Sequence, residues 1–137
     1  MHQKSNLSDL LLVLRRNIVE AIRKEGLKQD LTFSQMEVMG FIGPNGKETM
    51  KSIAEYLKIT PPSATEIVSE MERKGLVKRI NDKSDRRVVD IVFTPTAKKL
   101  FNSISKRKEM ISQKMISRLN TEDRKNLERI IRILITK

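Results

Sequence analysis

The stretch from Met50 to Ile67, MKSIAEYLKITPPSATEI, decides the fold. Two short helices that cross steeply need apolar residues at fixed places and a small residue where their backbones meet. Counting from Met50, the fourth, eighth, tenth, fifteenth and eighteenth places are Ile53, Leu57, Ile59, Ala64 and Ile67, all apolar. The fifth place is Ala54, which is small. The ninth lies in the turn, where glycine is preferred, but Lys58 occupies it. A side chain is tolerable there at about 1 kcal/mol if φ is positive. Thr49 stands where the first helix of the pair needs a cap, and Thr60 where the second does. Pro61 follows Thr60 at the first helical position, where no hydrogen bond is lost. Lys74-Gly75 closes the second helix, with the glycine free to take a left-handed conformation. The spacing predicts a helix-turn-helix.

Downstream the period changes. Leu76 to Ile80 and Val88 to Phe93 are β-branched and partly alternating, and Asn81 to Arg87 between them is polar and turn-prone. This predicts a two-stranded hairpin with a charged tip. Upstream, Leu7, Leu10, Leu11, Leu14, Ile18, Ala21 and Ile22 fall on one stripe of a helix expected from Leu7 to Lys24. Ser34-Gln35-Met36-Glu37 has capping-box spacing and is expected to start a short helix ending near Phe41. Gly43-Pro44-Asn45-Gly46 breaks the chain. After Thr94-Pro95 a long helix is expected to about Leu119, with Ala97, Leu100, Phe101, Ile104, Ile111 and Met115 on one face. Asn120 can cap a last helix whose apolar face is Leu127, Ile130, Ile131 and Leu134. The expected fold class is mainly α with a small β-hairpin wing, a winged helix-turn-helix.

Composition narrows the chemistry. The 137 residues contain no cysteine, which excludes thiolate nucleophiles, Cys-ligated zinc and thiol-based sensing. The one histidine is His2, so a Ser-His-Asp set or a His-rich metal site is not expected. There is no Gly-rich phosphate loop, and neither an enzyme nor a metal or other cofactor is expected. The N-terminal residues do not resemble a signal peptide, and no apolar run is long enough to span a membrane. A cytoplasmic protein is expected. The formal net charge of +11 suits a polyanionic partner, though a solvated Lys-rich surface accounts for it as well. Segments 1–48 and 49–94 are each nearly balanced, and most of the excess lies after Pro95.

Four runs resemble the MarR (multiple antibiotic resistance regulator) family. They are Ser52 to Leu57, Glu70 to Arg79, Asp82 to Arg87 and Phe93 to Ala97. That family's pattern reads approximately L-x-x-x-G-L-V-x-R, then D-x-x-D-R-R, then L-T-x-x-G, and the resemblance extends over nearly the whole chain. It implies a six-helix homodimer: one MarR-like domain over 1–137, a DNA-binding part over 32–94, and helical dimerisation parts over 1–31 and 95–137. Three amphipathic helices at the chain ends also offer more apolar face than a small head can cover. The fourth helix of each subunit would enter a major groove.

Thr60, Pro62, Ser63, Thr65 and Glu66 then lie where base edges are read. Thr60 and Ser63 can also act as caps. Glu66 departs from relatives, which often carry a basic or amide residue near this place. It could accept from cytosine N4, or it could form an ion pair with a nearby Lys or Arg. At the hairpin tip the resemblance implies that Arg87 enters the minor groove and that Asp85 orients it, with Arg86 and Lys83 on phosphate. Lys51, Ser52, Arg73, Lys78 and Arg79 are secondary phosphate candidates.

Many members of the family release DNA when a small aromatic or anionic effector binds. Its walls here would be Leu14, Ile18, Met36, Met39 and Phe41, which serve equally well as plain core. The expected function is a regulator specific for double-stranded DNA with an inverted-repeat operator, and a repressor released by a small ligand. A winged-helix module for RNA or protein would use the same fold.

Overall fold

The computed structural model describes residues 6–137, so His2 lies outside the described residues. The chain divides into two compact units, Met1–Ile104 and Ser105–Lys137. The order of elements is α1 (Leu7–Lys28), α2 (Phe33–Ile42), β1 (Lys47–Thr49), α3 (Met50–Leu57), α4 (Pro61–Arg73), β2 (Val77–Asn81), β3 (Val89–Phe93), α5 (Pro95–Ile116) and α6 (Thr121–Ile135). None of the described helices is long and apolar enough to cross a membrane.

Within the first unit, α2, α3, α4 and the sheet close one core. Met36, Val38, Met39 and Ile42 come from α2, Ile53 and Ala54 from α3, and Ala64, Val68 and Met71 from α4. Leu76, Val77, Ile91 and Phe93 supply the sheet side, and Ala97 and Ile104 belong to the same cluster. The helix-turn-helix spacing is realised: Ile53 and Ala64 are fully buried, Ala54 nearly so, and Leu57, Ile59 and Ile67 pack at the edge. Lys58 adopts the left-handed conformation, with φ 56° and ψ 45°. The α3–α4 turn therefore forms without glycine.

Four boundaries differ from the sequence expectation. Helix α1 continues past Lys24 to Lys28 because Gly26 lets it lie against its neighbours. A Cβ there would come 2.4 Å from Met36 Sδ and 2.9 Å from the Leu31 carbonyl oxygen. The capping box of α2 is not Ser34 with Glu37 but Thr32 with Gln35. Each side chain accepts a hydrogen bond from the other residue's backbone N–H at 3.1 Å. The hairpin is part of a three-stranded antiparallel sheet of order β1-β3-β2, in which Lys47 to Thr49 pairs with Asp90 to Val92. Helix α5 ends at Ile116 rather than near Leu119.

Thr94 fastens the head at the start of α5. Its hydroxyl donates to the Gly75 carbonyl at 2.7 Å and accepts from Ala97 N–H at 3.2 Å. The α4–β2 turn and the first turn of α5 thus share one buried side chain.

In the second unit Asn120 caps α6 by accepting from Asp123 N–H at 2.8 Å. None of the residues of α6 is buried. Ile130, Ile131, Ile133, Leu134 and Ile135 are all exposed. In the first unit the α1 stripe is likewise open, with Leu7, Leu10, Leu11, Leu14 and Ile18 exposed.

Candidate nucleic-acid interface

Two exposed features of the head carry the candidate site: the first turns of α4 and the tip between β2 and β3. Thr60 caps α4, its Oγ1 accepting from Ser63 N–H at 3.3 Å and donating to Ser63 Oγ at 2.9 Å. Such a cap is worth about 1 kcal/mol to the helix. It leaves the outer surface of the first two turns to Pro62, Ser63 and Glu66, which are exposed, and to Thr65, which is half-buried. Pro61 and Pro62 contribute no backbone N–H, so this helix start offers few donors to an anion.

Helix α4 carries three carboxylates, and the structure treats them differently. Glu70 is paired with Arg73, through the short contact to its terminal nitrogen and through Nε at 3.1 Å. That hydrogen bond and the attraction of the guanidinium hold the Glu70 carboxyl below its usual range. Glu72 lies 3.4 Å from Arg79 Nε on the adjoining strand. Glu66 makes no hydrogen bond or ion pair with any of the described residues, so the ion pair weighed for it is not formed.

At the tip, two aspartates shape the turn. Asp82 accepts from Ser84 N–H at 2.8 Å and from the Ser84 hydroxyl, and these bonds lower its pKa. Asp85 grips Arg87: Oδ1 accepts from the backbone N–H at 3.0 Å and from Nε at 3.1 Å, and Oδ2 accepts from a terminal nitrogen at 3.3 Å. The side-chain bond is the largest cause of the lowered Asp85 pKa, with the backbone bond next. The Arg87 side chain is nevertheless 92% exposed. Its guanidinium is oriented from behind and open in front.

The remaining basic residues divide by whether they are engaged. Lys51, Lys78, Lys83 and Arg86 are exposed, and their side chains make no bond with the described residues. Arg73 is committed to Glu70, and Arg79 to Glu72 and to Ser69 Oγ. The Ser52 hydroxyl accepts from Thr49 Oγ1 at 2.8 Å and its N–H donates to the same atom at 3.0 Å, so it belongs to the α3 cap.

Residues 29–88 match the model of the MarR family. Among curated proteins, the chain is 27% identical over 100 residues to YfiV, an uncharacterized HTH-type transcriptional regulator of Bacillus subtilis. That match covers 73% of this chain and 62% of YfiV, so the chain spans less than two thirds of that relative. It is 27% identical over 121 residues to the HTH-type transcriptional repressor MdtR of the same organism, over 85% of this chain and 77% of MdtR. Over residues 29–88 the chain is similar to the MarR family. Its fold is also that of MepR from Staphylococcus aureus, solved as a DNA complex, with TM-score 0.79 and 21% identity over 96% of this chain and 98% of that one.

Within this head, the five residues expected to line an effector pocket have different surroundings. Met36 and Met39 are core, at 1% and 2% exposure. Leu14 and Ile18 are on the open face of α1. The Phe41 ring stacks on Tyr56 with centroids 4.3 Å apart. A contact that the sequence did not suggest involves Lys74, just beyond α4. Its ammonium donates to the Asp30 carbonyl and to Gln35 Oε1 at 3.0 Å, and lies 4.0 Å from the Asp30 carboxylate. Asp30 itself has φ 56°. No local pattern announces a partner 44 residues away.

Proposed function

We propose that this protein is a homodimeric transcriptional regulator that binds an inverted-repeat operator in double-stranded DNA, acting as a repressor released by a small aromatic or anionic ligand. The observation that carries the proposal is Arg87, held by Asp85 and otherwise open at the wing tip, on the same head as the exposed start of α4. Arginine suits a narrow minor groove, where the negative potential is strongest. A guanidinium already oriented by its neighbour loses less freedom on entering such a groove. The first turns of α4 would lie in the adjoining major groove, with Thr60, Pro62, Ser63, Thr65 and Glu66 toward the bases. Lys51, Lys83 and Arg86 would contact phosphate.

Two copies are favoured by the apolar residues left open on α1 and on α6. Large exposed apolar faces on a folded chain mark interaction sites. The dimerisation parts would be 1–31 and 95–137, around a DNA-binding part at 32–94. Repression is supported by the name of MdtR, and DNA binding by the complex of MepR. The relatives are bacterial, and a regulator of bacterial genes works in the cytoplasm. A ligand that releases DNA would act where Leu14, Ile18, Met36, Met39 and Phe41 meet solvent or loosen from the core.

In-vitro selection of bound duplexes, repeated at two salt concentrations, tests the proposal. The expected result is a palindrome with half-site centres about 10 bp apart or a multiple of that. Arg87→Ala should weaken binding to the selected duplex more than tenfold, with an unchanged circular-dichroism spectrum. Equal recovery of single strands and duplexes refutes DNA reading of this kind.

A further inference from the structure

Glu66 stands apart from the other carboxylates of α4. Glu70 and Glu72 are each neutralised by an arginine, while Glu66 is exposed and bonded to nothing among the described residues. It lies one turn beyond Pro62 on the same side of the helix. A bare carboxylate on a helix lying against DNA is repelled by every phosphate it approaches. It is favoured only where a donor awaits it.

The major groove offers two kinds of base donor, the exocyclic amino groups of cytosine and adenine. Adenine N6 sits between two acceptors, its own N7 and thymine O4, both of which repel a carboxylate. Cytosine N4 has the guanine O6 acceptor on one side only, and on its other side a C5–H that repels nothing. We infer that Glu66 is a specificity-determining residue that selects a cytosine at one symmetric position of each half-site by accepting a hydrogen bond from N4. The inference rests on the proposed DNA-reading function and names what one of its residues reads.

The chemistry also fixes what a substitution does. Glu66→Gln replaces two acceptors by an acceptor and a donor, which matches the N6 and N7 pair of adenine. Glu66→Ala removes the contact and the repulsion together. Discrimination against the wrong base should be about tenfold, and the alanine variant should bind mismatched duplexes at least as well as the wild type.

The test is parallel selection of duplexes by the wild type, Glu66→Gln and Glu66→Ala, with thermal melts to confirm that all three fold. The expected outcome is one palindrome recovered by all three. Wild type should hold C·G at one symmetric position, the glutamine variant should shift that position to A·T, and the alanine variant should lose the preference. A palindrome with the same preference at every position in all three proteins overturns the role of Glu66 and leaves the DNA-reading function standing. Failure of the wild type to select any duplex overturns both.

Discussion

Replacing Lys58 by glycine should stabilise this protein. Lys58 is the turn residue between α3 and α4, and its φ of 56° puts an L side chain in the left-handed region. That conformation costs a non-glycine residue about 1–2 kcal/mol. Glycine removes the cost but gives the unfolded chain more freedom, a loss of about 0.4–1 kcal/mol. The native term is the larger, so Lys58→Gly should gain about 0.5–1 kcal/mol. For a chain of this length that is a rise in Tm of about 2–4 °C. The two bonds of the turn, Lys58 N–H to the Glu55 carbonyl at 3.2 Å and Ile59 N–H to the Ala54 carbonyl at 3.1 Å, are backbone bonds that glycine keeps. The Lys58 side chain is exposed and makes no bond that the substitution would break. Lys58→Ala is the control: it removes the charge and leaves the strained φ, so its stability should stay within about 0.5 kcal/mol of wild type. Urea melts at one fixed protein concentration would measure all three, since the proposed dimerisation would make apparent stability depend on concentration. A glycine variant no more stable than the alanine variant would refute the account of the turn.

Gly43→Ala should destabilise the head, because a Cβ would fall 2.2 and 2.3 Å from ring carbons of Phe101. The penalty should be about 1–3 kcal/mol in a urea melt, and it should shrink in a Phe101→Leu background; equal penalties in both would show that the ring is not the obstacle. The Asp85 carboxyl is held below its usual pKa first by the Arg87 side chain. A depressed pKa means the grip on Arg87 is complete above the ordinary carboxylate range and lost as pH falls through the lowered value. Carboxyl carbon shifts should therefore titrate at lower pH in the wild type than in Arg87→Ala, and coincident midpoints would remove Arg87 as the cause. Lys83→Ala should weaken binding to selected and random duplexes alike and flatten the salt dependence by about one phosphate contact; a loss confined to the selected sequence would mean that Lys83 reads bases.

Most of the fold could be read from local pattern, because its helices begin at residues with a mechanism for beginning them. Thr49, Thr60 and Asn120 each accept the backbone bond expected of a cap, and the apolar places from Ile53 to Ile67 meet in one core. The errors have local causes too. Thr32 with Gln35 and Ser34 with Glu37 are equally good capping boxes as strings, and only the packing of buried Gln35 against Thr32 separates them. Strand β1 is three residues with no alternation to detect, and it exists because β3 offers it an edge. Within the candidate site, the sequence marks Asp85 and Arg87 two residues apart, close enough for the motif to suggest their contact. It is silent on the pairings that reduce Arg73 and Arg79 as phosphate candidates, since those depend on which rotamers reach Glu70 and Glu72.

The bond from Lys74 to the α1–α2 turn makes α4 a lever. Helix α4 has thirteen residues, so its ends are about 20 Å apart. One end is moored, through a single ammonium, to Asp30 and Gln35. The other is the proposed reading end, held by the Thr60 cap and by Ala64 in the core. If the helix tilts about its moored end by about 10°, the far end sweeps roughly 3 Å, about the whole length of a hydrogen bond. Because Ala64, Val68 and Met71 are all buried, such a tilt would have to carry the core with it. The turn at Asp30 and the reading end are thus joined through one rigid, packed helix.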